Sequence, residues 1–250
     1  MSHGGDPRRA PGQQRRPDRR TRPPRPPAPT LPDGIRAADL APEVRAELRE
    51  FPPDRRDVLA AHLVAVGALL SEDPDAAYDH AAYARSAAPR LPSVREAAGI
   101  ASYRTGRYAE ALADLRTYAR MTGDDRHLPV MADCERGLGR PERALALARG
   151  PKAAALRRGE RIELRIVAAG ARRDLGDAGA ALVELRGPEL DAGAGPETAR
   201  LWYAYADALL ALDRREEAAQ WFAAAASADE DADTDAEQRL AEIREPTEPT

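Results

Sequence analysis

The residues that could do chemistry are few. The 250-residue chain holds four histidines and one cysteine: His3, His62, His80, His127 and Cys134. No histidine stands in an HxxxH or HExxH pair, and no Cys/His spacing suits zinc, so a metal centre is not expected. His62, His80 and His127 fall on separate helical segments and read as ordinary helix-face residues. A lone thiol excludes an intrachain disulfide and a cysteine metal cluster. Cys134 follows Met131 by three positions, which turns it toward a helical interior, where a thiol acts as a small hydrophobe. No histidine is placed by local sequence to activate it. The glycine-rich stretch GGDPRRAPG (4–12) follows no strand, so it is neither a dinucleotide nor a P-loop fingerprint. Carboxylates abound, but on polar helix faces and in the acidic run DEDADTD (229–235). No catalytic residue, cofactor or metal is expected. The class that remains is binding.

Whatever binds must be positioned by helices. Apolar residues make up 43% of the chain, enough for a core, yet aromatics supply only 4% and no long β-branched run appears. Alanine accounts for roughly a fifth of the residues, a helix-former's excess. Lys152 is the only lysine and asparagine is absent, a skew that codon bias in a GC-rich bacterial genome explains. Net charge is −4 but unevenly spread. Residues 1–30 hold eight arginines against Asp6 and Asp18, a balance of +6, which leaves −10 for residues 31–250. The N-terminus has arginines but no apolar h-region, so a secretory signal is not expected. The longest apolar run, LAAHLVAVGALL (59–70), is about eight residues short of a membrane span. A cytoplasmic location without membrane contact is the expectation.

Composition divides the chain. Residues 1–33 form a Pro/Arg-rich arm in which PPRPPAP (23–29) forbids helix, so disorder or polyproline conformation is expected. A cap helix and linker follow at 34–57, repeats at 58–230, a second cap helix at 231–245 and a tail at 246–250. Helical patterning predicts segments at 39–50, 54–71, 74–88, 92–105, 107–121, 126–138, 141–149, 159–175, 177–186, 197–212, 214–228 and 234–245. Aligned on Ala77, Ala111, Ala144, Ala181 and Ala218, the chain repeats every 33 to 37 residues. Twelve positions before each lies another small residue: Ala65, Gly99, Ala132, Ala169 or Ala206. Between each pair sits a break, at Glu72-Asp73-Pro74, Gly106, Gly139, Gly176 and Asp213. Each unit therefore reads as helix, tight turn, helix, with small side chains where the helices cross. Leu40, Val44 and Leu48 make an apolar stripe on the first cap, and Thr234-x-x-Glu237 reads as a capping box opening the last helix.

The rare residues give the repeat a family. Trp202-x-x-Tyr205-Ala206-x-x-Leu209, followed by Ala218-x-x-x-Phe222, resembles the tetratricopeptide (TPR) signature of a 34-residue helical hairpin. Pro89, twelve residues after Ala77, also matches that pattern. HLPVMADCERGLGRPERAL (127–145) is similar to an uncharacterised group of actinobacterial TPR proteins, a likeness that brings no activity with it. The resemblance implies an all-α superhelix of about five hairpins between helical caps, with Trp202 filling the gap within its own hairpin and Phe222 packing against it. It also implies a concave groove, lined by the first helix of each hairpin, that grips a partner protein or peptide. Carried onto this chain, the groove positions are Glu96, Ile100, Tyr103, Arg104, Asp133, Arg136, Ile166, Gly170, Arg173, Tyr203 and Asp207. Arg104, Arg136 and Arg173 recur once per hairpin. As a ladder they would hold carboxylates of an acidic ligand; alternatively they pair locally, Arg136 with Asp133 for instance. The arm supports a separate expectation, weak and non-specific binding of nucleic acid through its arginines.

Overall fold

Four of the five breaks are built the same way, by one residue in left-handed backbone. Gly106, Gly139, Gly176 and Asp213 have φ of 71°, 69°, 78° and 58°. Each donates its N–H to a carbonyl three residues back, and the next residue donates to one five back. At the first, Gly106 donates to Tyr103 at 3.0 Å and Arg107 to Ser102 at 2.8 Å. The pattern recurs with Gly139 and Arg140, with Gly176 and Asp177, and with Asp213 and Arg214. This is the Schellman closure, which satisfies the last carbonyls of a helix while reversing the chain. The remaining break uses the other device: Asp73 accepts from the Ala76 N–H at 3.0 Å and Pro74 fixes the first helical position.

The computed structural model describes Met1 and residues 27–191, 193 and 196–244. The arm expected at 1–33 therefore lies largely outside the described residues, as does the tail expected at 246–250. Among the described residues there are twelve α-helices and no strand: α1 (Pro42–Glu47), α2 (Pro53–Leu69), α3 (Pro74–Ala87), α4 (Pro92–Arg104), α5 (Tyr108–Thr122), α6 (Leu128–Gly137), α7 (Pro141–Ala148), α8 (Arg158–Asp174), α9 (Ala178–Leu185), α10 (Pro196–Leu210), α11 (Arg215–Ala228) and α12 (Ala236–Arg244). Proline opens six of them at the first position, where its missing N–H costs nothing. The pairs α2–α3, α4–α5, α6–α7, α8–α9 and α10–α11 pack as hairpins, and each hairpin also packs on the next. None of the helices is long and apolar enough to cross a membrane.

Small residues sit where the helices meet. Ala65, Ala77, Ala111, Ala132, Ala144, Ala181, Ala206 and Ala218 are fully buried, and Ala169 nearly so. At Gly99 a Cβ would fall 2.6 Å from the side chain of Leu115 across the hairpin, so α4 and α5 touch through glycine. The core runs continuously through the stack. α8 gives Leu164, Ala168 and Ala171 to the cluster shared with α5–α7, and Ile162 and Ala169 to the cluster shared with α9–α12.

Three expectations are corrected by the structure. Trp202 stacks at 6.2 Å on Trp221, not on Phe222, and its indole N–H donates to the Leu190 carbonyl of the preceding connection. Phe222, fully buried, meets Tyr203 edge-on at 5.3 Å. Trp202 therefore does lie against the second helix of its own hairpin, but through Trp221, and Phe222 pairs with Tyr203 instead. The capping box at Thr234 is also not formed. Its hydroxyl donates to Asp229 at 2.6 Å, Asp229 also accepts from the N–H groups of Asp233 and Thr234, and the helix starts at Ala236. The segment expected as one cap helix at 39–50 is broken by Pro42 into a 3₁₀ turn at Ala37–Asp39, α1 and a second 3₁₀ turn at Leu48–Glu50. Leu40 and Leu48 are nonetheless buried against α2 and α3.

Two substitutions measure these constraints. Gly99→Ala gains about 1 kcal/mol of helix propensity, but the clash with Leu115 outweighs it, and urea denaturation is expected to show a net loss of about 1–2 kcal/mol. Asp213→Gly removes a side chain from left-handed backbone and is expected to raise stability by about 0.5–1 kcal/mol in the same assay.

Candidate functional site

The first helices of the hairpins carry two adjoining cavities. The larger, about 580 Å³, is lined by Tyr103 from α4, Pro129, Val130 and Asp133 from α6, Glu160, Glu163 and Val167 from α8, and Glu197 from α10, with Arg126 and Arg157 at its rim. The smaller, about 280 Å³, is lined by Arg136, Ile166, Gly170, Arg173, Arg200, Tyr203 and Asp207. Every lining residue of both belongs to α4, α6, α8 or α10, or to a segment leading into α6, α8 or α12. Eight of the eleven expected groove positions thus face these two spaces. Glu96 accepts from His127 Nε2 at 2.6 Å, Ile100 packs on the core beneath, and Arg104 is exposed with no ion pair among the described residues.

The arginines are not an open ladder. Arg136 donates to Asp133 at 2.8 Å and, in bidentate fashion, to Asp174 at 2.8 and 3.2 Å. Its guanidinium lies on Gly170, where a Cβ would come within 2.5 Å of it. Arg173 pairs with Asp207, which also accepts from Arg239 of α12 at 3.1 Å. On α4 the link to the next hairpin is made by Tyr103, whose hydroxyl donates to Asp133 at 2.7 Å, and not by Arg104 beside it. α4, α6 and α8 are each latched to the following first helix through a polar side chain near the C-terminal end. Local pairing, together with pairing between hairpins, accounts for Arg136 and Arg173.

Charge in the larger cavity is carried by carboxylates. Glu163 pairs with Arg200 at 2.9 Å and Glu197 with Arg158 at 3.3 Å. Burial pushes Glu163 above the usual carboxylate range, against the pull of Arg200 and with Glu197 adding to it. The Oε2 atom of Glu160 is buried without a hydrogen-bond partner. Tyr203 has its phenol pushed up to about 12 by burial and by a hydrogen bond to Asp235.

Sequence reading missed three clusters. His62 and His80, buried in the first hairpin, meet through their Nδ1 atoms at 2.7 Å, with the Tyr83 ring 4.4 Å from that of His62. His62 stands seven residues before the end of α2 and His80 six after the start of α3, so closure of the hairpin brings them face to face. Asp114 of α5, buried, is clamped by Arg85 of α3 at 2.6 Å and Arg95 of α4 at 2.5 Å. Glu135 of α6, buried, is held by Arg116 of α5 at 2.6 Å. Cys134 is fully buried, and that burial pushes its thiol up to about 12. Among the described residues no group of three metal-ligating side chains stands together. Comparison with protein-family models and with curated proteins finds no match.

The histidine pair makes stability depend on pH. Burial, and then the neighbouring His80, lower His62 from 6.5 to about 4; burial also lowers His80, with Asp79 opposing. Between about pH 4 and 6.5 the unfolded chain binds protons that the folded chain does not, so stability falls as pH falls through that window. Denaturation followed from pH 7 to 4.5 is expected to show a loss of roughly 2–3 kcal/mol from His62. The His62→Leu/His80→Leu protein is expected to lose that part of the slope.

Proposed function

We propose that the chain is a non-catalytic protein–protein interaction module, an adaptor or scaffold in a bacterial cytoplasm, that holds a partner protein or peptide along α4, α6, α8 and α10. In this reading the hairpins form a TPR-like superhelix and those helices line its concave face. The observation that carries the proposal is that eight of the eleven expected groove positions line two cavities built from first helices and their lead-in segments, beside a third of about 570 Å³ that also takes Tyr108, Pro141 and Glu142 from second helices. A row of side chains drawn from successive hairpins suits a ligand that runs across them, whereas a catalytic centre gathers its groups at one point. The latching of Arg136 and Arg173 by carboxylates removes the acidic ligand from consideration as the preferred partner. A guanidinium already held by two carboxylates gains little from a third.

The full chain carrying photoreactive benzoylphenylalanine in place of Val130, or in place of the exposed Val183 on α9, tests this. Irradiation in the native cytoplasm is expected to give a discrete protein adduct from position 130 and none from position 183. Equal adducts from both positions would remove the groove from the reading. Loss of all binding on deletion of residues 1–33, with an affinity that collapses in salt, would assign the protein to nucleic acid instead.

A further inference from the structure

The second helices carry one surface whose charge the chain does not balance. Glu135 of α6 is buried, and two guanidiniums reach it. Arg116 of α5 lies 2.6 Å from its Oε1 atom, and Arg140, at the start of α7, lies 3.5 Å from Oε2. Both arginines stay half out in solvent. Arg120 stands one turn beyond Arg116, and Arg143 stands three positions beyond Arg140. Both are exposed, and neither has a carboxylate partner among the described residues. Short connections join α5 and α7 to α6, so the two second helices run in the same direction and the four guanidiniums share one stretch of surface. Glu142, the nearest acid in sequence, lines the cavity with Asp133, Arg136 and Asp174 instead.

Neighbouring repeats show that this excess is particular to the place. One hairpin earlier, Asp114 is held by Arg85 and Arg95 as Glu135 is held here. There Arg85 also pairs with Glu110 at 2.8 Å, so the charges balance. By the repeat alignment the position of Glu110 is taken by Arg143. The position of Arg140 is taken by Arg107 and by Arg214 elsewhere, and each has its acid: Asp75 at 3.1 Å and Glu217 at 2.7 Å. Glu217 stands three residues after Arg214, where Arg140 has another arginine. Like charges at i,i+3 and i,i+4 destabilise helices, and this surface holds one pair of each kind. An anion seated among the guanidiniums removes that repulsion. Residues 31–250 carry −10 in total, so a positive surface on them runs against the general charge.

We infer that Arg116, Arg120, Arg140 and Arg143 form a binding site for a phosphate group bearing two charges, as a monoester or as the free anion. The guanidinium fork matches phosphate oxygens in bidentate fashion. A phosphomonoester concentrates about −1.5 to −2 charge on three acceptor oxygens, which suits four guanidiniums around one carboxylate. Glu135 is a positioning residue that fixes Arg116 and Arg140 from beneath. A nucleic-acid strand suits the surface less well, because past the four arginines it must cross the acidic body. Asp133 faces the groove, and Glu135, two residues on, is turned about 200° from it. The site is therefore a second surface, independent of whatever the groove holds.

Calorimetric titration of the purified full chain tests this, with inorganic phosphate and with the peptide acetyl-alanyl-phosphoseryl-alanine amide as probes. Sodium chloride keeps the ionic strength constant. The comparison protein is Arg120→Gln/Arg143→Gln, which leaves Glu135 paired and the N-terminal arm unchanged, so any uptake by the arm cancels. Saturable binding to the parent, weakened about tenfold in the variant, is expected. Without phosphate the variant is expected to melt no lower than the parent, and phosphate is expected to raise the parent's midpoint more than the variant's. Tighter binding of the peptide assigns the site to a phosphorylated partner, and tighter binding of inorganic phosphate assigns it to the free anion; either supports the inference. Equal binding by the two proteins, or a lowered midpoint in the variant, would overturn it. So would capture of oligodeoxythymidylate through these arginines with no binding of either phosphate probe.

Discussion

Close approach of helix backbones, made possible by side chains that are missing, is the constraint on which the rest depends. Where Gly99 faces Leu115 there is no room for a methyl group. At Gly137 a Cβ would fall 2.3 Å from the ring of Tyr108, and at Gly170 it would strike the guanidinium of Arg136. These contacts, with buried alanines at the crossing points, set how each hairpin closes and how the next one seats on it. Helices packed this tightly leave little space between them for large apolar side chains. Five of the eleven aromatics, both tryptophans among them, lie in the last hairpin, where Trp221 lies between Trp202 at 6.2 Å and Tyr205 at 5.0 Å.

An alanine core limits what hydrophobic burial can contribute, since each buried methylene is worth about 0.8 kcal/mol and alanine has only a methyl to offer. The hairpins are joined instead by polar contacts placed just outside the apolar seam. Tyr103 to Asp133, Arg136 to Asp174 and Arg173 to Asp207 tie first helices together. Arg85 to Glu110 and Arg149 to Glu184 do the same for second helices. Most are partly exposed, and such pairs contribute about 0–1 kcal/mol each. Asp114 differs, because it is buried between two arginines. Removing both arginines would leave its charge uncompensated in a low-dielectric site, a cost of about 3–5 kcal/mol. Its geometry fixes how α3, α4 and α5 sit relative to one another, which alanines alone, sliding easily past each other, do not.

Legibility in the sequence followed the physics of each feature. Helix ends were readable because Gly106, Gly139 and Gly176 are required by left-handed backbone, and Asp213 stood at the matching place in the repeat. Crossing points were readable because small residues recur twelve positions apart. The aromatic pairing was misjudged by one position: a helix turns about 100° per residue, so Trp202 and Tyr203 face different neighbours. The capping box at Thr234 failed because Asp229, five residues earlier, competes for its hydroxyl. Partners of charged residues were illegible where they came from another hairpin. Arg136 and Asp174 are 38 positions apart, and nothing short of the stacking itself brings them together.

That last point bears on the electrostatics of the groove. Read along the sequence, an arginine once per hairpin looks like a receptor for carboxylates. In three dimensions the hairpins supply the carboxylates themselves, and Arg136 and Arg173 become part of the frame. What the frame leaves over has the opposite sign in the larger cavity: Glu160 has an oxygen without a donor, and Glu163 is held partly out of water beside Glu197. A cation entering there would relieve both the missing hydrogen bond and the repulsion between carboxylates. A carboxylate ligand would have to pull Arg136 or Arg173 away from partners already in place. The arginines that suggested a receptor for carboxylates are, once folded, already paired by carboxylates of the chain itself.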